Sequence, residues 1–208
     1  MIDSHCHLDY EPLSSNLSQV IKRSKDVGIK KILTICTTLN SFTRIKEIVK
    51  VDEIVFGTFG IHPHETKKDK INSQRIIKEI KENKKIIGIG ETGLDFFYNH
   101  SEKSDQIKSF EEHISAAIEL NIPLIVHSRN AEKEILEIFQ NFKNNKLKIS
   151  ATKKLIKKLN PILSEYSEKN SISIILQKRD IIIGKNSLNI TDDIIKILDE
   201  NVKEIKIN

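Results

Sequence analysis

Ile2-Asp3-Ser4-His5-Cys6-His7-Leu8-Asp9 sets two histidines one residue apart at the end of what reads as a first β-strand. Successive side chains of a strand point to opposite faces, so His5 and His7 share one face while Ser4 and Cys6 take the other. Two imidazoles side by side suit one metal ion. The same spacing also suits a polar strand end with two ordinary histidines, so the rest of the chain has to decide.

Downstream, apolar runs and amphipathic runs alternate. A helix over Ser18 to Val27, closed by Gly28, leads to a strand at Lys31–Thr37, and a helix over Ser41 to Val49 leads to a strand at Ile54–Ile61. Helix 71–81 precedes strand Lys85–Gly90, and the helical period of Ile107, Phe110, Ile114, Ala117 and Ile118 precedes a fifth strand at Ile122–Val126. Near-continuous apolar strands alternating with helices predict a parallel sheet covered by helices.

Polar residues recur at the C-terminal ends of these strands: His5 and His7 after the first, His62 and His64 after the third, Glu91 after the fourth, His127 after the fifth. Residues at that end converge in a (β/α)8 barrel, whereas a doubly wound sheet gathers them only at a switch point. The fold class expected is therefore α/β: a partial TIM-type barrel of about five βα units, with a C-terminal helix-hairpin-helix appendage.

The 208 residues carry a net charge of +5. Lys and Arg exceed Asp and Glu by only 23 to 21 in residues 1–150 and by 11 to 8 in 151–208, so neither half is a basic footprint for nonspecific phosphate binding. Nothing approaches a membrane span, and the N-terminus lacks the pattern of a signal peptide, so the expected location is cytoplasmic. Cys6 and Cys36 are expected to be small buried hydrophobes.

IDSHCHLD, GIHPH at Gly60–His64, GETGLDFFY from Gly90, Gln106 with Phe110, and PLIVHSRNA from Pro123 occur in order. Over residues 1 to about 148 the chain resembles the TatD-related metal-dependent deoxyribonucleases. The resemblance implies a TIM-barrel hydrolase of the amidohydrolase type, acting on phosphodiester bonds in DNA, with one or two divalent ions (Mg, Mn or Zn). It implies His5, His7, Glu91 and His127 as metal ligands, and His62, His64 and Arg129 beside the substrate phosphate. Asp95 reads as a supporting or turn residue, and His100 and His113 as surface residues.

The family pattern continues with a further ligand histidine after a sixth strand and with a late catalytic aspartate near a proline. This sequence has neither motif, so no catalytic residue is assigned and weak activity is expected. The composition also changes: every histidine, cysteine and phenylalanine lies before residue 143. From Ser150 the sequence predicts a helix over Ala151 to about Ser167 kinked at Pro161, a hairpin over 171–184, and a helix from Thr191. That run resembles the C-terminal part of the Skp/OmpH-type periplasmic chaperones. It suggests a chimera of a hydrolase domain at 1–149 and a chaperone-like segment at 150–208, with self-association through exposed strand edges or the hairpin. Two further readings stay open: a noncatalytic chaperone-like binding module, and an amidohydrolase-type enzyme for a small ester or amide.

Overall fold

Five strands, β1 (Ile2–Cys6), β2 (Lys31–Thr34), β3 (Val55–Phe59), β4 (Ile86–Asp95) and β5 (Leu124–Arg129), pair in parallel in the order β1-β2-β3-β4-β5. They belong to a computed structural model that describes residues 1–98, 100–172 and 189–202. Helices α1 (Leu17–Asp26), α2 (Leu39–Val51), α3 (Ser73–Glu82) and α4 (Lys103–Leu120) make the crossovers. This is the expected partial TIM-type arrangement.

Each connection follows from local chemistry. Gly28, at φ 88°, ends α1: its N–H donates to Lys25 O at 2.9 Å and that of Ile29 to Ser24 O at 2.9 Å, the paired bonds of a Schellman cap. Thr38 caps α2 by accepting from Ser41 N at 2.9 Å, and Asn72 caps α3 by accepting from Arg75 N at 3.0 Å. The helices bury their apolar stripes on one face of the sheet, where Phe42, Ile45 and Val49 of α2 and Ile76, Ile77 and Ile80 of α3 pack with Ile32, Val55, Phe59 and Ile89.

The sheet is strongly curled. In a flat sheet β1 and β4 would stand three strand spacings apart, about 14 Å. His5 Nε2 of β1 nevertheless lies 3.5 Å from Glu91 Oε2 of β4. Buried threonine hydroxyls tie the inner face: Thr34 Oγ1 accepts from Leu8 N at 3.1 Å, and Thr58 Oγ1 accepts from Cys36 N at 3.0 Å and donates to Gly90 O. Among the described residues β1 pairs only with β2 and β5 only with β4.

The chain divides into two units, Met1–Ile138 and Phe139–Asn208. Helix α5 (Glu132–Lys169) begins far earlier than the expected start at Ala151 and holds Pro161 within it. Ala131, Ile135 and Ile138, buried at helical spacing, explain the early start. Helix α6 (Thr191–Asn201) opens on Asp192 and Asp193, as read from the sequence. Tyr166 Oη donates to Asp193 Oδ2 at 2.7 Å within the second unit. The expected hairpin lies almost entirely outside the described residues.

Two expectations about single residues need comment. His113 is not on the surface: it is fully buried on α4, where its Nδ1–H donates to Ser109 O at 2.6 Å and its Nε2 accepts from Ile61 N at 3.1 Å. Burial holds its pKa down at about 4. Cys36 is buried as expected and Cys6 partly so, and burial pushes both thiols up to about 12.

Candidate metal centre

Glu91 follows a close approach between β4 and the backbone just after β3. A Cβ on Gly60 would fall on the backbone of Gly90, 2.6 Å from its carbonyl carbon and 2.7 Å from its nitrogen, so only glycine allows the contact. The neighbouring Glu91 N–H donates to Cys36 O at 2.7 Å. These contacts hold the Glu91 side chain on the inner face of the sheet, between β1 and β5.

Its two carboxylate oxygens face two groups. Oε2 faces His5, and the ligand atoms of His5, His7 and Glu91 lie within 4.8 Å of one another. Oε1 lies 3.3 Å from His127 Nδ1, and His62, Glu91 and His127 form a second set within 4.8 Å. His7 Nδ1 is 3.2 Å from Ile35 O and must donate to it, which leaves Nε2 as the lone pair.

The protons of the second set can be placed by elimination. His62 Nδ1 accepts from His64 N at 3.2 Å. Burial, with the neighbouring His127 and His64 rings, lowers the pKa of His62 to about 3, so this ring is neutral with its proton on Nε2. That proton points at His127 Nδ1, 3.2 Å away, which also faces Glu91 Oε1 at 3.3 Å; in the neutral His127 ring Nδ1 accepts from His62 and has no proton for Glu91. His127 Nε2 carries the proton and donates to Asp95 Oδ2 at 3.0 Å. A ring held with Nε2–H on a carboxylate and a lone pair at Nδ1 is the arrangement of a metal-ligand histidine and its supporting acid.

Asp95 both supports the histidines and closes a turn, the two roles its sequence reading allowed. Its side chain is fully buried, and Oδ2 also accepts from His64 Nε2 at 2.7 Å. Oδ1 accepts from Phe97 N at 3.1 Å and Tyr98 N at 3.0 Å. Burial alone would raise this carboxyl, but the bonds from Tyr98 N, His64, His127 and Phe97 N outweigh it and hold the pKa below the usual range. Gln106 locks the same backbone, with Oε1 accepting from Asp95 N at 2.8 Å and Nε2 donating to Asp95 O at 3.1 Å. His64, Asp95 and His127 make a third set of potential ligands within 4.8 Å, but hydrogen bonding accounts for its distances.

Of the residues named from sequence, His5, His7, Glu91, His127, His62 and His64 therefore share one locus. Arg129, at the end of β5, is exposed and lies over the Tyr98 ring, 4.9 Å from its centroid. His100 is exposed, as expected, and its ring is 4.5 Å from that of His64.

The pattern of the TatD related DNases matches residues 2–161. The chain belongs to this family. It is 38% identical over 157 residues to the uncharacterized metal-dependent hydrolase BU355 of Buchnera aphidicola subsp. Acyrthosiphon pisum, covering 71% of this chain and 60% of that one. It is 26% identical over 140 residues to the 3'-5' ssDNA/RNA exonuclease TatD of Shigella flexneri, covering 67% of this chain and 54% of that one. The crystal structure of YJJV, a TatD homolog from Escherichia coli K12, matches with a TM-score of 0.57 at 24% identity, over 64% of this chain and 52% of that one, and supports the fold. The chain thus spans between about half and three fifths of the length of these relatives. The TatD match runs past the join expected at Ile149 to residue 161. No helix among the described residues is long and apolar enough to cross a membrane.

Proposed function

We propose that this chain is a metal-dependent hydrolase module that acts on phosphodiester bonds in DNA. The observation that carries the reading is the division of Glu91: Oε2 faces His5 at 3.5 Å and Oε1 faces His127 at 3.3 Å. One carboxylate between two histidine groups suits a pair of ions. His5, His7 and Glu91 would hold one ion, and Glu91 and His127, with His62 beside them, the other. Nitrogen-rich donors with a carboxylate suit Zn²⁺ or Mn²⁺ better than Mg²⁺. Such an ion would supply Lewis-acid polarisation of a phosphoryl oxygen and activation of water.

The residues of the chain then orient the substrate. His62 can donate only through Nε2, and Arg129 offers a planar fork of donors suited to a phosphate. Asp95 fixes His127 and His64 and is too weak a base, with four hydrogen bonds on its two oxygens, to accept a proton from water. No described residue is assigned that task, so turnover is slow. Supporting readings follow from the sequence: a cytoplasmic location, and self-association through exposed strand edges or the C-terminal hairpin. The test is metal content of the purified chain with nuclease assays in Zn²⁺, Mn²⁺ and Mg²⁺, beside Glu91→Ala. A chain that takes up no divalent ion would overturn the reading and favour a noncatalytic binding module.

A further inference from the structure

Immediately after β4 the chain exposes aromatic rings next to the histidine cluster. Phe97 is 58% and Tyr98 48% exposed, whereas the Asp95 side chain two residues earlier is fully buried. These rings are held in place. Asp95 Oδ1 accepts from the N–H groups of both residues, so the carboxylate that orients His64 and His127 also fixes the aromatic turn. Tyr98 is edge-on to His64 with ring centroids 5.7 Å apart, and Phe97 is edge-on to Tyr98 at 4.8 Å. The Arg129 guanidinium covers Tyr98, and the His100 ring lies nearly parallel to Tyr98 at 5.8 Å. Tyr98 is thus engaged by its neighbours, while Phe97 is more exposed than Tyr98.

An exposed ring packed edge-on against a tyrosine that carries a cation on its face, two ring contacts from a site for phosphodiesters, has the parts used to hold single strands: every base offers a π-face, and base–aromatic stacking is tolerant of sequence. A phosphate alone gains nothing from Phe97. We propose that Phe97, braced by Tyr98, whose ring Arg129 covers, is a stacking platform for one nucleobase of a single-stranded nucleic acid whose backbone enters the histidine–carboxylate site. This rests on the nuclease reading above. A base paired within a duplex keeps its faces stacked on its neighbours, so the platform selects unpaired ends.

The test pairs the ring against the base. Binding of a five-residue oligothymidylate, and of versions with an abasic residue at each position in turn, is measured without divalent ions for the parent, Phe97→Ala and Phe97→Trp. Phe97→Ala should weaken the intact oligonucleotide by about 5- to 150-fold, the range of one base–aromatic stack. One abasic position should cause the same loss in the parent and no further loss in Phe97→Ala, and Phe97→Trp should bind at least as well as the parent. Equal weakening of every abasic version, or no effect of Phe97→Ala, would overturn the platform. Zinc content is measured on the same samples. A chain that shows the ring–base coupling but holds no metal supports the platform and overturns the hydrolase reading; a metal-loaded nuclease without the coupling does the reverse.

Discussion

His127 donates its Nε2–H to Asp95 Oδ2 at 3.0 Å, and in the neutral ring this one bond leaves the lone pair on Nδ1, the nitrogen on the Glu91 side. Replacing Asp95 with Asn keeps the shape but places an amide against one of its two sets of partners. If the amide faces His127, the ring must accept there and carry its proton on Nδ1, where an ion would bind. If it turns the other way, the Phe97 and Tyr98 N–H bonds are lost. Asp95→Asn should weaken zinc binding about 10- to 100-fold, the usual effect of removing such a partner. Zinc titration and ¹⁵N spectra of the imidazole check it; unchanged affinity with an unchanged His127 tautomer would refute the role.

Glu91 should dominate metal-linked stability. An ion that binds only the folded chain stabilises it by about 2.7 kcal/mol at a hundred times its dissociation constant. Zinc or manganese should therefore raise the midpoint of thermal unfolding in the parent and leave Glu91→Gln nearly unmoved. Equal shifts in both proteins would place the ion elsewhere.

Much of this centre was legible because His5, His7, Glu91 and His127 lie in the C-terminal halves of β1, β4 and β5 or just beyond, in plain sequence order. β4 and β5 nevertheless run on past Glu91 and His127, whereas the sequence reading ended them just before. Asp95 was less legible: the strand read as ending at Gly90 runs on to Asp95, which turns a loop acid into a buried one. A signal for His113 existed and was missed. It lies three residues after Phe110 and one before Ile114, on the buried stripe of α4. The early start of α5 was hidden because Glu132, Lys133 and Glu134 mask the wider spacing of Ala131, Ile135 and Ile138.

Gly60 should tolerate no side chain. A methyl group there collides with the Gly90 backbone and must push apart β3 and β4 just before Glu91. Gly60→Ala should cost about 1–3 kcal/mol, as overpacking does, and should lower metal affinity at the same time. Urea unfolding and zinc titration on one sample read both effects; lost stability with normal affinity would show that the contact serves the fold alone.

The buried His113 makes stability depend on pH. Its pKa is about 4 when folded against 6.5 as an ordinary histidine, so between those values the unfolded chain binds the extra proton and stability rises with pH. The contribution is complete above about pH 6.5 and falls away as pH drops toward 4, by roughly 3 kcal/mol in all. His113→Gln should flatten that part of the curve measured by urea unfolding at successive pH values. An unchanged slope would assign the effect to other groups, such as His62, which titrates in the same sense.

Nuclease turnover by this chain should be slow even with its site loaded. The arrangement supplies ion-binding donors and phosphate-facing groups, yet both acids in contact with His127 are committed. Glu91 lies between the two histidine groups, and the lowered proton affinity of Asp95 disqualifies it as a base. The family's late aspartate has no matching motif in this sequence, and absence of a positioned general base costs about 10²–10⁴-fold in rate. Purified chain should therefore release labelled nucleotide from single-stranded DNA at a rate lower by that factor than a relative carrying the aspartate, assayed side by side in Mn²⁺. Glu91→Ala should remove the remainder. Turnover equal to that of the relative, and lost in Glu91→Ala, would show that another group of this chain takes the proton.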